Sequence, residues 1–261
     1  MPGSPHDAQP GEQPEPRHEG WAASPLDGPV TLEFLRAAEL EPFGWLVGSS
    51  NNAMVVRASA GGEALLAVWK PTAGERPLFD FPLGTLTRRE VAAFHVSETL
   101  GWGIVPPTIR RDGPFGDGSL QLWIDVDPTA DVVSMVVEAD ARLRRIAVFD
   151  AAVNNTDRKG GHLLPTPDGH VYGVDHGVTF SMVPKLRTVL WAWRGQPFTG
   201  DELAGLERLA AALRGDLARH LAGLLSRGEI AATRRRVDTL LETRRFPQPR
   251  PDWPAIPWPP F

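Results

Sequence analysis

The chain has 261 residues, long enough for one large domain or two small lobes with a real core. It holds no cysteine, which excludes disulfides and thiolate zinc sites and points to a cytoplasmic address. A net charge of −5 offers no broad basic surface for nucleic acid or anionic lipid, and no apolar run reaches the length of a membrane span.

Residues 1–24 are rich in Pro, Gly, Gln and Glu, lack the apolar core of a signal peptide, and are expected to be a disordered tail. "TLEFLRAAEL" (31–40) reads as a short helix. "GWLVGSSNNAMVVRAS" reads as strand, glycine-and-serine turn, strand. Gly61-Gly62 marks a hairpin, and "EALLAVWKP" is a third strand stopped by Pro71. "TRREVAAFHVSETLG" (87–101) reads as a helix with a Thr87/Glu90 capping box and a glycine stop. "IVPPTIRR" and "GSLQLWI" are two more strands around a Gly/Asp turn.

The second half changes character. "ARLRRIAVFDAAV" (141–153) has helical spacing, and "HLLPTPDGHVYGVD" reads as a hairpin turned by Pro-Asp-Gly. Leu203, Leu206, Leu209, Leu213, Leu217, Leu221 and Leu224 then recur at helical intervals, with a second helix after Gly228. The expected class is α+β: an antiparallel β-rich N-lobe (25–124) and a mostly helical C-lobe (125–245). A Pro/Trp-rich tail (246–261) follows, whose aromatics are expected to dock on the surface.

Four features bear on chemistry. The turn Gly48-Ser49-Ser50-Asn51 has small residues whose N–H groups suit phosphate, or it is an ordinary hairpin. Lys70, one of only three lysines, closes an apolar strand, where it either reaches solvent or meets a nucleotide's phosphates. Glu90, twenty positions on, can fix Lys70 by an ion pair, with Glu98 as the other possible partner. The fourth is "NNTDRKGGHLL" with "VYGVDHG" downstream: Asp157, Lys159, His162 and Asp175. Phosphoryl transfer needs this inventory, one carboxylate for the acceptor's proton, one lysine for charge, and ligands for metals that bridge phosphates.

The runs "FDAAVNNTDRKGGHLL" and "VYGVDHGVTF" resemble the catalytic and metal-binding loops of the phosphatidylinositol 3-/4-kinase-related superfamily, above all its type II phosphatidylinositol 4-kinase-like members. "GSSNNAMV", "VWKP", "EVAAFHVSETLGWGIVPPT" and "LRTVLWAW" resemble an actinobacterial kinase-like family. The resemblance implies a bilobal protein-kinase-like fold that uses ATP with Mg²⁺ or Mn²⁺. It implies Lys70 as the nucleotide lysine, Asp157 as catalytic aspartate and Asp175 as metal aspartate. It sets His162 where a metal-ligating asparagine usually stands, Asp150 as a brace for the loop, and Leu122, Trp123 and Ile124 at the hinge beside adenine. An imidazole there suits Mn²⁺ better than Mg²⁺ and ligates only when neutral, so activity is expected to fall with pH through about 6.5. His162 bonded only to backbone is the competing reading.

Type II lipid kinases carry a cysteine-rich first-lobe segment that this chain lacks, so the lipid substrate does not come with the resemblance, and stable membrane binding is not expected. The phosphoryl acceptor stays unidentified. A nucleotide-sensing adaptor without turnover, AMP transfer on the same fold, and a metal phosphohydrolase using His162, Asp175 and His176 are the competing readings.

Overall fold

The computed structural model describes residues 28–46 and 52–261. The expected disordered tail and the turn at 48–51 lie outside the described residues. A five-stranded antiparallel sheet has the order β1-β2-β3-β5-β4, from β1 (Glu39–Trp45), β2 (Met54–Ala60), β3 (Glu63–Pro71), β4 (Thr108–Gly113) and β5 (Gly116–Leu122). The β2–β3 hairpin turns on Gly61 and Gly62 at φ 60° and 87°, the mirror-image turn that matches strand twist.

Helix α1 (Gly28–Ala37) ends sooner than the sequence suggests, and Glu39 and Leu40 pair instead with Ser59 and Ala58. β1 tolerates Pro42 because it is an edge strand. β4 starts only at Thr108, because Pro106 and Pro107 bring no N–H to a ladder.

Alternation along β3 sorts core from site. Ala67 and Trp69 enter a small core with Leu35, Met54, Val56, Ile109 and Leu120. Trp69 is fully buried, and it fits because a Cβ on Gly113 or Gly118 would come within 2.8 Å of its ring. Lys70, one position on, therefore serves the opposite face.

That face meets α2 (Leu86–Leu100), stopped by Gly101 in the left-handed region at φ 70°. The expected Thr87/Glu90 capping box is not formed. The helix starts one residue earlier, after Thr85, and the Thr87 N–H donates to the Glu75 carboxylate at 2.9 Å. Glu90 is thereby released for other work.

Ala92, Ala93, Phe94, Val96 and Leu100 of α2 join the larger core of the second half. That half holds α3 (Val132–Val137), which the sequence reading lacked, α4 (Arg144–Val153), and the hairpin β6 (Leu163–Pro165) and β7 (Val171–Gly173). The leucine run is divided at Gly215 into α5 (Gly200–Ala212) and α6 (Asp216–Leu221). α7 (Arg227–Thr243) starts before Gly228, at Ser226, which forms a capping box with Glu229. The chain is thus an α+β protein with an antiparallel sheet lobe followed by a helical lobe, linked near 123–130.

Candidate active site

Lys70 reaches off β3 to two carboxylates. Its Nζ bonds Glu90 Oε1, and it lies 3.0 Å from Asp175 Oδ1. Glu90 is almost wholly buried and also accepts the His176 N–H through Oε2 at 2.9 Å. Burial works against the charge on Lys70, but Asp175 and Glu90 outweigh it and hold the amine above its ordinary range. Burial pushes the Glu90 carboxyl up, against the pull of Lys70 and the His176 N–H. Lys70, against the cost of burial, keeps Asp175 well below the carboxylate range.

α2 is held in place so that Glu90 stays aimed. Arg89, next along the helix, bonds the Glu229 carboxylate on α7 and the Thr179 carbonyl at 2.7 Å. Asp175 sits just beyond β7 with φ 59°, a conformation costly for a residue other than glycine. It is half-exposed, with 45% of its side chain open to solvent, and its second oxygen, Oδ2, lies toward His162.

The polar run after α4 folds around a buried ion pair. Asn154 ends α4 in the left-handed region, and its side chain binds the Ser181 and Val183 carbonyls and the Lys185 N–H. Asp150 and Arg158 are both completely buried and paired at 2.9 Å. Asp150 also accepts from Asn155 Nδ2 at 2.9 Å, and Asn155 Oδ1 accepts the Asp157 N–H at 3.0 Å. Arg158 goes on to the Val174 carbonyl at 2.8 Å and His176 Nε2 at 2.6 Å. A guanidinium only donates, so His176 Nε2 accepts and Nδ1 carries the proton. Burial, then Arg158, keeps His176 neutral. Through this network Asp150 fixes both Asp157 and the turn that carries Asp175.

Asp157 faces outward from the brace, with Lys159 Nζ 3.2 Å from its Oδ2. His162 Nε2 is 3.4 Å from Asp175 Oδ2, and Nδ1 faces the Lys159 N–H at 3.4 Å. Burial lowers the His162 pKa, only partly offset by Asp175, so the ring stays neutral. With Nδ1 accepting the Lys159 N–H, the proton of the neutral ring sits on Nε2, facing Asp175.

One ionised carboxylate and one neutral imidazole are donors that could share a divalent cation with another ligand. Asp175 is ionised, His162 is neutral, and a magnesium ion bound with phosphates takes only one or two protein ligands. Among the described residues no group of three or more His, Cys, Asp or Glu side chains can hold a metal by itself. At the expected hinge, the Leu122 and Trp123 N–H groups are already bonded to the carbonyls of Pro107 and Leu66, at 2.9 and 3.1 Å. Ile124 follows them directly.

The structure therefore brings together Lys70, Glu90, Asp175 and His162, with Asp157 and Lys159 on the same loop as His162. Glu98 is exposed and is not the Lys70 partner. Gly48, Ser49, Ser50 and Asn51 lie outside the described residues. Sequence reading missed Arg158 and Asn155, because a buried arginine and its amide neighbour inside a polar run carry no local signal. Among the described residues no helix is long and apolar enough to cross a membrane.

The molecule is an α+β protein in which a lysine–carboxylate cluster joins an antiparallel sheet to a helical lobe. It is 43% identical over 262 residues to protein Rv2133c of Mycobacterium tuberculosis (strain ATCC 25618 / H37Rv), covering 87% of this chain and 94% of that one, and it belongs to the same family. No protein-family model matches the chain. A solved structure, the Helicobacter pylori proinflammatory kinase CtkA, is similar over 80% of this chain and 93% of that chain, with a TM-score of 0.49 and 13% identity.

Proposed function

We propose that this protein is an ATP-dependent phosphotransferase of the phosphatidylinositol-kinase-like class, acting on a hydroxyl acceptor. The observation that supports it most is the Lys70–Glu90–Asp175 cluster, joined through His162 to the loop of Asp157 and Lys159. Three groups so far apart in sequence converge with a cation between two anions, one of which remains half-exposed.

In this reading Lys70 is oriented by Glu90 and meets the nucleotide's phosphates. Gly48, Ser49, Ser50 and Asn51 offer N–H groups to the same phosphates. Leu122 and Trp123 flank the base, and Ile124 offers it backbone bonds. Asp175 and His162 would hold Mg²⁺ or Mn²⁺, which would neutralise charge on the transferring group. As a ligand through Nε2, His162 would carry its proton on Nδ1 and lose the contact with the Lys159 N–H. Asp157 takes the proton of the acceptor hydroxyl, and Lys159 beside it offsets charge on the transferred group.

A second reading is a nucleotide-binding adaptor without turnover. The pairing of Asp175 with an imidazole, where an oxygen ligand is usual, favours it. Calorimetric titration with ATP and Mn²⁺, followed by mass spectrometry of acceptors, separates the cases. Phosphotransfer predicts binding that Lys70→Met weakens at least tenfold, and products heavier by one phosphate. Binding with no modified product supports the adaptor, an added AMP supports nucleotidyl transfer, and absence of binding rejects all three.

A further inference from the structure

Residues 250–261 run back across the loop that carries Asp157. Arg250 donates to the Pro184 carbonyl at 3.0 Å. The Ala255 carbonyl accepts two bonds, from the Thr188 N–H at 3.0 Å and the Trp191 indole at 2.9 Å. Thr188 itself bridges to Arg158, the buried partner of Asp150. At the end of this path the Pro260 carbonyl accepts the Gly160 N–H at 2.8 Å.

Gly160 and the Phe261 ring are complementary. A Cβ on Gly160 would lie 2.6 Å from Phe261 Cε1 and closer still to Cδ1. The backbone does not demand glycine there, since Gly160 is not among the positive-φ residues. At Gly161, by contrast, a Cβ would meet nothing within 4 Å. The missing side chain at 160 is thus explained by the ring that fills its place. Two consecutive glycines also make this the most conformationally free part of the loop, and they separate Lys159 from His162. A hydrogen bond and an aromatic seat remove that freedom where the geometry must hold.

We propose that Pro260 and Phe261 are positioning residues, which clasp Gly160 and so fix Lys159 and His162 on either side of it. The functional half of this proposal rests on the phosphotransferase reading; the clasp itself does not. Neither residue touches reacting atoms. A tail that merely blocked the acceptor would have the opposite effect on rate.

The test uses the full chain with Phe261→Ala and, separately, Gly160→Ala, whose methyl group collides with the ring. Amide hydrogen exchange and steady-state kinetics are measured together. The expected result is exchange at Gly160 and Gly161 at least about tenfold faster, with α2 unchanged. Turnover falls about tenfold or more and KM for ATP rises by less than that, because Lys70 and Glu90 keep their places while Lys159 and His162 shift. Phe261→Tyr restores both readouts. Unchanged exchange in the two alanine variants, or turnover that rises in them, overturns the proposal. If the wild type transfers no phosphate, the phosphotransferase reading fails, and exchange at Gly160 still decides whether the clasp exists.

Discussion

Lys70 Nζ lies 3.0 Å from Asp175 Oδ1, across 105 positions of sequence, while the same nitrogen bonds Glu90. The pair ties the sheet lobe to the turn that follows β7. It also splits the labour of Asp175, one oxygen for the lysine and the other toward His162.

Removing the cation should expose how much the cluster depends on it. Lys70→Met leaves Glu90 buried without its charge partner, a situation that costs about 3–5 kcal/mol in comparable pairs. We expect a lower Tm together with weakened ATP binding. Glu90→Gln retains the site for the His176 N–H and should fold, but it should bind ATP less tightly than wild type. A Glu90→Gln variant with wild-type affinity would remove Glu90 from the account.

The brace under the loop makes a separate prediction. Asp150→Ala leaves Arg158 buried without its carboxylate partner and releases Asn155. A stability loss of about 3–5 kcal/mol in denaturant unfolding is expected. Asp150→Asn, nearly the same in shape, should lose less and still slow any turnover, since Asn155 positions Asp157.

Metal preference follows from His162. The wild type should turn over faster with Mn²⁺ than with Mg²⁺, and His162→Asn should shift the preference toward Mg²⁺. Burial lowers the His162 pKa, so the midpoint of the acid limb is expected below 6.5. The pH profile of kcat/KM with Mn²⁺ checks this, and an acid limb above 6.5 would rule out His162 as the titrating group.

Stability should carry its own pH signature, away from the site. His95 on α2 meets His220 on α6, with the two Nε2 atoms 2.9 Å apart. Burial, then His220 and Arg36, pulls the His95 pKa down to about 4 from 6.5. Between those values the unfolded chain binds a proton that the folded chain refuses, so stability falls as pH drops from 6.5 toward 4. His95 is only partly buried, so about 1 kcal/mol is expected in total after solvent screening. His95→Gln should flatten, without abolishing, the decline of Tm, because His176 and His162 shift in the same sense.

What the sequence revealed depended on how local the cause was. Gly61-Gly62, the period-two run to Pro71 and the Gly101 stop act through backbone geometry, and they were legible. Glu90 was ambiguous, since a capping box and an ion pair use the same residue type. Thr72 and Glu75, from the loop after β3, settle it by bonding Thr87 instead. Arg158 and the contact of Phe261 with Gly160 were not legible at all. A buried arginine and a glycine emptied for a distant ring are made by packing between remote segments, and no local pattern announces them.

In the proposed reaction Asp157 serves phosphoryl transfer from a nucleotide held by Lys70 and Asp175. The most direct measurement is γ-labelled ATP with Mg²⁺ and with Mn²⁺, offered to the protein itself and to protein, lipid and small-molecule acceptors, with Asp157→Ala as control. Label transfer by the wild type should fall about a hundredfold or more in Asp157→Ala, while ATP binding is retained. Equal transfer by both proteins, or no transfer by the wild type to any acceptor with either metal, would contradict it.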